Sequence, residues 1–263
     1  VTVALSGEGA DEIFGGYARQ RFDVALDRIG IVGRKLLPAA MLLVNKKPSA
    51  RFARRLRMRP GLERQLDWGR IFSGGGIERL VGTSAATEAA IHGPYAELGR
   101  RWLEWDDVDA VNGRLEADRC TFLPGDLLPK VDRMSMAHSL EVRVPYLDNE
   151  VADLVLALPG RFKQSLRRDK ILLRKVASSL LPTAGFLRRK RGFEVPIGAW
   201  LRGPLKMALT DLLSPANVAD SGVLRASEVS CLVEEHLAGG CDHGRALWSL
   251  MVLSRWFERG GLR

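Results

Sequence analysis

A short apolar segment that runs straight into a glycine-rich turn constrains this chain more than any other feature. Val1–Leu5 has the composition of a β-strand, and Ser6–Asp11 supplies the small and polar residues of a tight turn. Asp11–Arg21 then carries apolar residues at helical spacing, so the pattern predicts a strand, a turn and one bent helix in succession. Because a lone strand cannot be an independent unit, we expect the chain to be a piece cut from a longer protein, just before a strand inside a domain.

The rest of the sequence predicts mostly helices, with one further strand at most. We interpret Ser73–Gly76 as a flexible joint, the region around Asp126 as a short acidic turn, and Lys130–Leu140 as a methionine-rich helix packed in the core. A chain of 263 residues can form one large domain or two small ones, and we find no linker that divides it. No apolar run approaches the about 20 residues that cross a membrane.

The formal net charge of +9 is concentrated in two runs of the sequence. Arg51–Arg70 holds seven arginines against two acids, and Lys163–Arg191 holds ten basic residues against one. Such runs attract nucleic acid, membrane headgroups or a phosphorylated ligand, and charge alone does not choose among these. Few aromatic residues interleave the first run, which disfavours a nucleic-acid surface. We interpret that run as a solvated helix face.

The cysteines and histidines show no metal-binding or disulfide spacing. Cys120, Cys231 and Cys241 are odd in number and widely separated, which favours a reducing, cytoplasmic compartment. We expect all three to be buried structural thiols. The four histidines are also expected to be structural.

The Ser6–Asp11 turn has the composition of an anion-binding connection between a strand and a helix. Its two glycines allow positive φ angles or close approach of the backbone to a ligand. The acids Glu8, Asp11 and Glu12 indicate Mg²⁺ beside a nucleotide or a proton-accepting carboxylate. Helix N-capping is an alternative that accounts for Asp11 and Glu12 but less well for Glu8.

Two further segments carry chemistry-bearing side chains. The basic run Arg188–Arg191 precedes a glycine and either wraps a polyphosphate or is a solvated loop. Asp132–Asp148 alternates charged with apolar residues. Its charges either form a buried ion-pair network that holds a substrate pocket or are purely structural, and the residues concerned are Asp132, Arg133, Glu141, Arg143 and Asp148.

These segments together resemble the synthetase domain of the glutamine-dependent asparagine synthetases. LSGEGADEIFGGY at Leu5–Tyr17 is similar to that family's second nucleotide motif, and DRMSMAHSLEVRVPYLD at Asp132–Asp148 resembles its central signature. KILLRK and RRKRGFEVPIGAW, within Lys170–Trp200, resemble its late motif. The resemblance spans nearly the whole chain and is weakest over Asn45–Glu116.

The resemblance implies an α/β parent fold, a parallel sheet with helices of the adenine nucleotide α-hydrolase type. Residues 1–263 would be the C-terminal part of that synthetase domain, mostly helical with one or two strands. It also implies a reaction in which the β-carboxylate of aspartate attacks Mg-ATP to give β-aspartyl-AMP. Ammonia, released from glutamine by a separate N-terminal domain, then displaces AMP.

Site residues follow from the same resemblance, position by position. Ser6, Gly7 and Gly9 would contact ATP through the turn. Glu8 would take a proton from the attacking ammonia, Asp11 would help to hold Mg²⁺, and Lys190 would neutralise charge on the departing pyrophosphate.

Two parts of the family pattern are absent from this sequence. The pyrophosphate loop Ser-Gly-Gly-x-Asp-Ser and the nucleophilic cysteine of the glutaminase domain do not occur. We therefore predict little or no synthetase activity for this chain alone. Two alternatives stay open: a related adenylating amidotransferase that acts on another carboxylate, and a non-enzymatic remnant or basic nucleic-acid-binding module.

Overall fold

The structure, a computed structural model, describes residues 1–43, 50–58, 61–82, 109–181 and 195–260. Two expected features, a helix at Tyr95–Asp107 and the basic loop with Lys190, lie outside these residues. The chain divides into two compact units: unit 1 is Val1–Gly69 with Tyr95–Arg189, and unit 2 is Arg70–Pro94 with Lys190–Arg263. A search for a linker does not detect this division, because each unit is assembled from two separate segments. The assignment of 1–263 to one synthetase domain stays a prediction.

Helices make up most of the described chain, as predicted. In chain order they are α1 (Ala10–Phe14), α2 (Ala18–Arg28), α3 (Gly30–Leu43), α4 (Ala50–Arg57), α5 (Leu62–Asp67), α6 (Gly74–Val81), α7 (Ala110–Cys120), α8 (Leu128–Met136), α9 (Asn149–Leu156), α10 (Ile171–Leu180), α11 (Ile197–Arg202), α12 (Lys206–Leu212), α13 (Pro215–Asp220), α14 (Ala226–Leu237) and α15 (Gly244–Glu258). Short 3₁₀ turns occupy Pro145–Leu147 and Gly160–Phe162. The predicted bent helix is two helices, because Gly15 adopts a left-handed φ of 76° and ends α1.

Unit 1 contains a two-stranded parallel sheet. Strand β1 (Val3–Leu5) pairs with β2 (Glu141–Arg143), with Val3 opposite Glu141 and Leu5 opposite Arg143. Leu5 is 74% exposed, so apolar strand surface is left uncovered by the described residues. Parallel sheets are normally covered on both faces. The pairing is consistent with an α/β fold, and the rest of a sheet is not contained in the described part of the chain.

The interior of unit 1 combines a small apolar cluster with many charged groups. Ile13 and Phe14 of α1 pack with Val155 of α9, and partly buried Tyr146 and Leu147 border this cluster. The Phe14 and Tyr146 rings pack in a T-shaped arrangement, with 5.9 Å between their centroids. This cluster packs α1 against α9.

The interpretation of Arg51–Arg70 as a solvated helix face is wrong for Arg55 and Arg64, whereas Arg57 is exposed. Arg55 and Arg64 are 5% and 1% exposed, and both bind carboxylates. Arg55 Nε donates to Asp67 Oδ2 at 2.8 Å, while Arg64 pairs with Asp23 at 3.2 Å and with Asp27. A buried charge is tolerated only with such partners. These arginines are therefore internal structural groups and are not available to a nucleic acid.

The methionine-rich helix and the segment before it also differ from expectation. Leu123–Leu127 forms a π-helical turn that continues into α8, in place of the predicted acidic turn. No residue of α8 is buried, and Met134 is 63% exposed. The expectation that these methionines pack in a core is wrong for the described structure.

Unit 2 is a helical assembly around an apolar core. The buried residues are Leu80, Leu201, Leu209, Leu213, Val218, Val229, Leu247, Leu250 and Met251. The predicted glycine joint is instead the first turn of α6, because Ser73 Oγ accepts the Gly76 N–H at 3.2 Å and caps the helix. His236 is fully buried and structural, with a ring nitrogen 3.1 Å from the Gly198 carbonyl oxygen and the other accepting the His243 N–H.

The cysteines are free, but they are not the buried thiols that we expected. Cys231 and Cys241 are exposed, and Cys120 is half-buried. Glu235 lies beside Cys231 and raises the pKa of its thiol. Among the described residues, no helix has the length and apolar character needed to span a membrane.

Candidate active site

The turn after β1 lies at the carboxyl end of the parallel strand pair. The Ser6 N–H donates to the Arg143 carbonyl oxygen at 2.9 Å, which extends the pairing by one residue. Ser6 Oγ accepts the Glu8 N–H at 3.4 Å, and the Glu8 side chain is half-buried. Ligands of open α/β sheets bind at this end of the strands. The predicted residues Ser6, Gly7, Glu8 and Gly9 are thus placed together where a ligand would be expected.

The two glycines of the turn have different surroundings. Gly9 has a φ of 84°, and a Cβ atom there would overlap the Leu147 side chain. Both facts explain on structural grounds alone why this position is a glycine. A Cβ at Gly7 would meet nothing within 4 Å, so its backbone is open to an approaching molecule. Between these two positions, Gly7 is the better candidate for contact with a ligand.

Asp11 lies at the start of α1 and forms an ion pair with Lys170. Lys170 Nζ is 2.8 Å from Asp11 Oδ1, and the two side chains are 24% and 22% exposed. Lys170 adopts a left-handed φ of 46°, which is unusual for a residue with a side chain, and its N–H donates to the Gly15 carbonyl oxygen at 3.3 Å. A Cβ at Gly16 would collide with both partners of the pair. The ion pair therefore connects the Leu5–Tyr17 motif with the motif that begins at Lys170.

Sequence reasoning did not assign a role to Lys170. Lys170 is the first residue of the KILLRK motif, and that position in the motif was the only sequence feature that indicated a role for it. Its proximity to Asp11 depends on the path of the chain between them. Lys190, the predicted cation, lies outside the described residues.

Glu12, the residue that follows the Ser6–Asp11 turn, is buried and accepts a hydrogen bond from the Tyr17 hydroxyl. Burial raises the pKa of Glu12, and burial together with the adjacent Glu12 raises the pKa of Tyr17. The guanidinium of Arg19 lies 4.3 Å from the centre of the Tyr17 ring and 2.8 Å from Asp118. These contacts link the first residues of α1 and α2 to α7.

The alternative that Asp11 and Glu12 cap α1 is wrong. The N-cap residue is Gly9, and no side-chain cap bond is formed at this helix. Asp11 binds Lys170 and Glu12 binds Tyr17 instead, as described above.

The charges of the central signature do not form a buried network in the described structure. Arg143 pairs with Glu141 at 2.6 Å, but these side chains are 65% and 54% exposed. Asp148 Oδ1 accepts the Glu150 N–H at 3.0 Å and caps α9. The structural alternative therefore describes these residues better than the pocket network does.

Asp11 is the residue predicted to help to hold Mg²⁺. Within the described ranges, no group of three or more His, Cys, Asp or Glu side chains is arranged to hold a metal ion. Asp11 is a single carboxylate already paired with an ammonium group. These residues by themselves do not build a Mg²⁺ site.

Comparisons with known proteins were made over the whole chain. The family model described as asparagine synthase matches residues 1–258. Asparagine synthetase [glutamine-hydrolyzing] 1 of Bacillus subtilis is 30% identical over 260 residues, covering 97% of this chain and 40% of that protein. A putative asparagine synthetase [glutamine-hydrolyzing] of Mycobacterium tuberculosis is 33% identical over 264 residues, covering 97% of this chain and 39% of that protein.

Further matches are shorter. An amidase of Gibberella zeae, chry2, is 28% identical over 109 residues, or 39% of this chain and 16% of that protein. No solved structure matches. The chain spans about 40% of the length of the two bacterial relatives. Because the family match covers nearly the whole chain, including the turn and its Lys170 partner, the protein belongs to the asparagine synthase family.

Proposed function

We propose that this chain is the C-terminal part of an ATP-dependent synthetase that converts aspartate to asparagine. The family match over residues 1–258 is the observation that carries this proposal. The exposed turn at the carboxyl end of β1, with Gly7 open and Asp11 paired to Lys170, supports it. The parent fold would be a parallel sheet of the adenine nucleotide α-hydrolase type, of which β1 and β2 are two strands.

The proposed chemistry begins with a poor acyl donor. A β-carboxylate has oxide or hydroxide as its leaving group, so activation as β-aspartyl-AMP, with release of pyrophosphate, supplies AMP as a better one. The half-buried Glu8 carboxylate would then accept a proton from ammonia as the nitrogen attacks the acyl carbon. Ser6, Gly7 and Gly9 would contact the nucleotide. Lys190 would neutralise charge on pyrophosphate.

Asp11 would contribute at most one ligand to Mg²⁺. In nucleotide sites Mg²⁺ is commonly bound by one or two carboxylates together with phosphate oxygens and water. A single carboxylate beside Lys170 is compatible with that arrangement only when phosphates complete the site. Lys170 would also place a positive charge beside those phosphates.

The remaining parts of the proposed enzyme lie outside this chain. We propose that an N-terminal glutaminase domain supplies ammonia and that an upstream segment supplies the pyrophosphate loop. The exposed apolar surface of Leu5 supports the presence of further strands in the intact domain. The isolated chain would then have little or no activity. A reducing, cytoplasmic setting is proposed with it, supported by three free cysteines.

The experiment compares Glu8→Gln with Glu150→Gln in the intact enzyme. Glu150 is an exposed glutamate outside the turn and serves as the control. We expect Glu8→Gln to lower amide formation by about 100-fold or more while aspartate-dependent ATP–pyrophosphate exchange persists, because the proton is removed after activation. Unchanged amide formation in Glu8→Gln would remove this residue from the mechanism. Exchange by the isolated chain near that of the intact enzyme would overturn the inactive-fragment proposal.

A second candidate is an adenylating amidotransferase that acts on another carboxylate. The match to an amidase of Gibberella zeae favours it, because a chain with partly similar sequence carries a different name. The proposed turn chemistry selects ammonia as the nucleophile and leaves the acyl group open. Product analysis with aspartate and with other carboxylic acids would separate the candidates: amide formation from aspartate alone supports the first, and preference for another acid supports the second.

A further inference from the structure

A cleft with a volume of about 810 Å³ opens in unit 1. Its walls are the C-terminal half of α2, the first turn of α7 and the loop at 161–168. None of its lining residues belongs to the Ser6–Asp11 turn. The function proposed above therefore leaves this cleft without a role.

Four arginines give the cleft its charge. Arg28, Arg161, Arg167 and Arg168 line it, and all four are exposed. In the part of the chain that the structure describes, none of them forms an ion pair with a carboxylate. Four arginines thus line one concave region without an ion-pair partner among the described residues. The Arg161 guanidinium also lies 5.0 Å from the centre of the Phe162 ring.

The two acids that line the cleft are already engaged by other groups. Asp27 pairs with Arg64 and Arg114, which are almost fully buried. Asp109 accepts the Val111 N–H at 2.9 Å and the Gly160 N–H at 2.5 Å. Asp27 is therefore neutralised from inside the unit, and the carboxylate of Asp109 interacts electrostatically with the buried Lys163. The four arginines make the surface presented to a ligand cationic.

The acid that follows this loop is also occupied. Asp169 binds Arg174 at 2.6 Å and lies 3.8 Å from Arg21. It forms no ion pair with either arginine of the turn at Arg167–Arg168. The local charge balance thus leaves these two arginines for an external anion.

The backbone of this turn is held in place. The Ser165 N–H donates to the Arg168 carbonyl oxygen at 2.8 Å, and Ser165 Oγ accepts the Arg168 N–H at 3.0 Å. Arg21 Nη1 donates to the Arg167 carbonyl oxygen at 3.3 Å. A turn closed in both directions loses little backbone freedom when a ligand binds.

We propose that the cleft binds a small multivalent oxyanion. Guanidinium groups pair with phosphate or carboxylate oxygens in a two-pronged geometry, and about 300–1,000 Å³ is the usual size of a small-molecule site. Val24, Val111 and Leu166 provide apolar walls for a carbon skeleton that carries these groups. The proposal is independent of the nucleotide site at the turn, since no residue is shared.

The test is calorimetric titration of the full 263-residue chain with inorganic tripolyphosphate and, separately, with citrate at low ionic strength. The variant is Arg167→Ala/Arg168→Ala. The matched control, Arg57→Ala/Arg259→Ala, removes the same charge from two exposed arginines outside the cleft. A third variant, Lys170→Ala, reports binding at the turn instead.

We expect the cleft variant to weaken binding by about tenfold or more, because charge-assisted contacts are lost. The control should stay within about twofold of the parent chain. Lys170→Ala should remove any binding at the turn, and the binding that survives in that variant should be the part that Arg167→Ala/Arg168→Ala weakens. Stronger binding of tripolyphosphate than of citrate would identify a phosphate-bearing ligand, and the reverse would identify a polycarboxylate. Binding that is absent, unchanged in the cleft variant, or lost equally in the control would overturn the proposal. Far-ultraviolet circular dichroism verifies that each variant is folded.

Discussion

Around α2, α5 and α7 of unit 1, the buried side chains are largely charged or carry amides, whereas the apolar core of unit 2 consists of leucine, valine and one methionine. The buried polar residues of unit 1 are Glu12, Gln20, Asp23, Arg34, Arg55, Arg64, Gln65, Asp67, Arg114, Asp118, Lys163 and Gln164. In the described part of unit 2 they are His236 and Ser254. The side chains of an apolar core must fill the interior in volume and shape. In a charged interior, each buried charge must also have its ion-pair partner in position. Unit 1 should therefore be the less tolerant of single changes.

The largest expected effect is at Arg64, which is 1% exposed and pairs with two carboxylates of unit 1. Arg64→Met would leave Asp23 and Asp27 without this partner, and we expect a loss of about 3–5 kcal/mol in the free energy of unfolding. Burial already raises the pKa of Asp23 against the opposing effect of Arg64. Urea unfolding measures the change. Arg79→Met, which breaks an exposed pair with Glu228, should cost less than about 1 kcal/mol. Equal losses of unfolding free energy in Arg64→Met and Arg79→Met would contradict the expectation that the buried pair matters more than the exposed one.

The corresponding test in unit 2 is Leu247→Ala. Leu247 is fully buried in the apolar core, and we expect a loss of about 2–4 kcal/mol in the free energy of unfolding. The loss has two causes: less apolar surface is buried, and a cavity remains where the side chain was. Met207→Ala, at an 85% exposed position, should change stability by less than about 0.5 kcal/mol. Hydrogen exchange resolved along the sequence would assign the Leu247 effect to unit 2. A loss confined to unit 1 would contradict the separate cores.

The charged interior should also respond to pH through Lys163. Lys163 is 1% exposed, and its Nζ donates to Asn112 Oδ1 at 2.8 Å. Burial lowers its pKa from 10.5 to about 8, although Asp109 and Glu116 oppose the shift. Between these values the unfolded chain binds more protons than the folded one, so this group makes stability rise with pH across that window.

We expect this contribution to be about 2–3 kcal/mol between pH 8 and pH 10.5. The difference between the parent chain and Lys163→Met isolates it from other titrating groups, and unfolding free energies at both pH values measure it. Lys175→Met, on the outer part of α10, is the control and should keep the parent profile. A Lys163→Met profile identical to that of the parent would contradict a buried, depressed lysine.

The smallest predicted effect is at the start of α6. Ser73→Ala removes the side-chain oxygen that caps the Gly76 N–H and should cost about 1 kcal/mol. Ser73→Asp retains a capping oxygen and should preserve stability to within about 0.5 kcal/mol. Thermal unfolding of the three chains measures the order. If Ser73→Ala is neutral, the glycine-rich turn does not depend on its cap.

The success of sequence reasoning followed the same division between the units. Sequence reasoning predicted mostly helices, and unit 2 confirms this, because an apolar core imposes helical spacing on the sequence. The flexible joint predicted at Ser73–Gly76 is instead the start of α6. Arg55 and Arg64 were misinterpreted because a charged residue with an internal partner has the same local pattern as a solvated one. The prediction that the methionines of α8 are buried failed for the converse reason. Apolar residues at helical spacing do not show whether a surface is present for them to pack against.

The candidate site was partly predictable. The turn from Ser6 to Asp11 was located from its strand, glycines and acids, and its place after β1 is confirmed. The roles of Glu8, Asp11 and Lys190 stay predictions. The Asp11–Lys170 and Glu12–Tyr17 pairs were not predicted, because capping by the acids satisfied the local pattern equally well.

By itself, the sequence determined the strand, turn and helix at the start of the chain, the predominance of helices and the family motifs, because each depends on residues close together along the chain. Only the tertiary structure decided which charges are buried, that Asp11 meets Lys170, and that four arginines surround one cleft. These arrangements join distant segments. Their stability depends on distance and on exclusion of water, which local spacing does not specify.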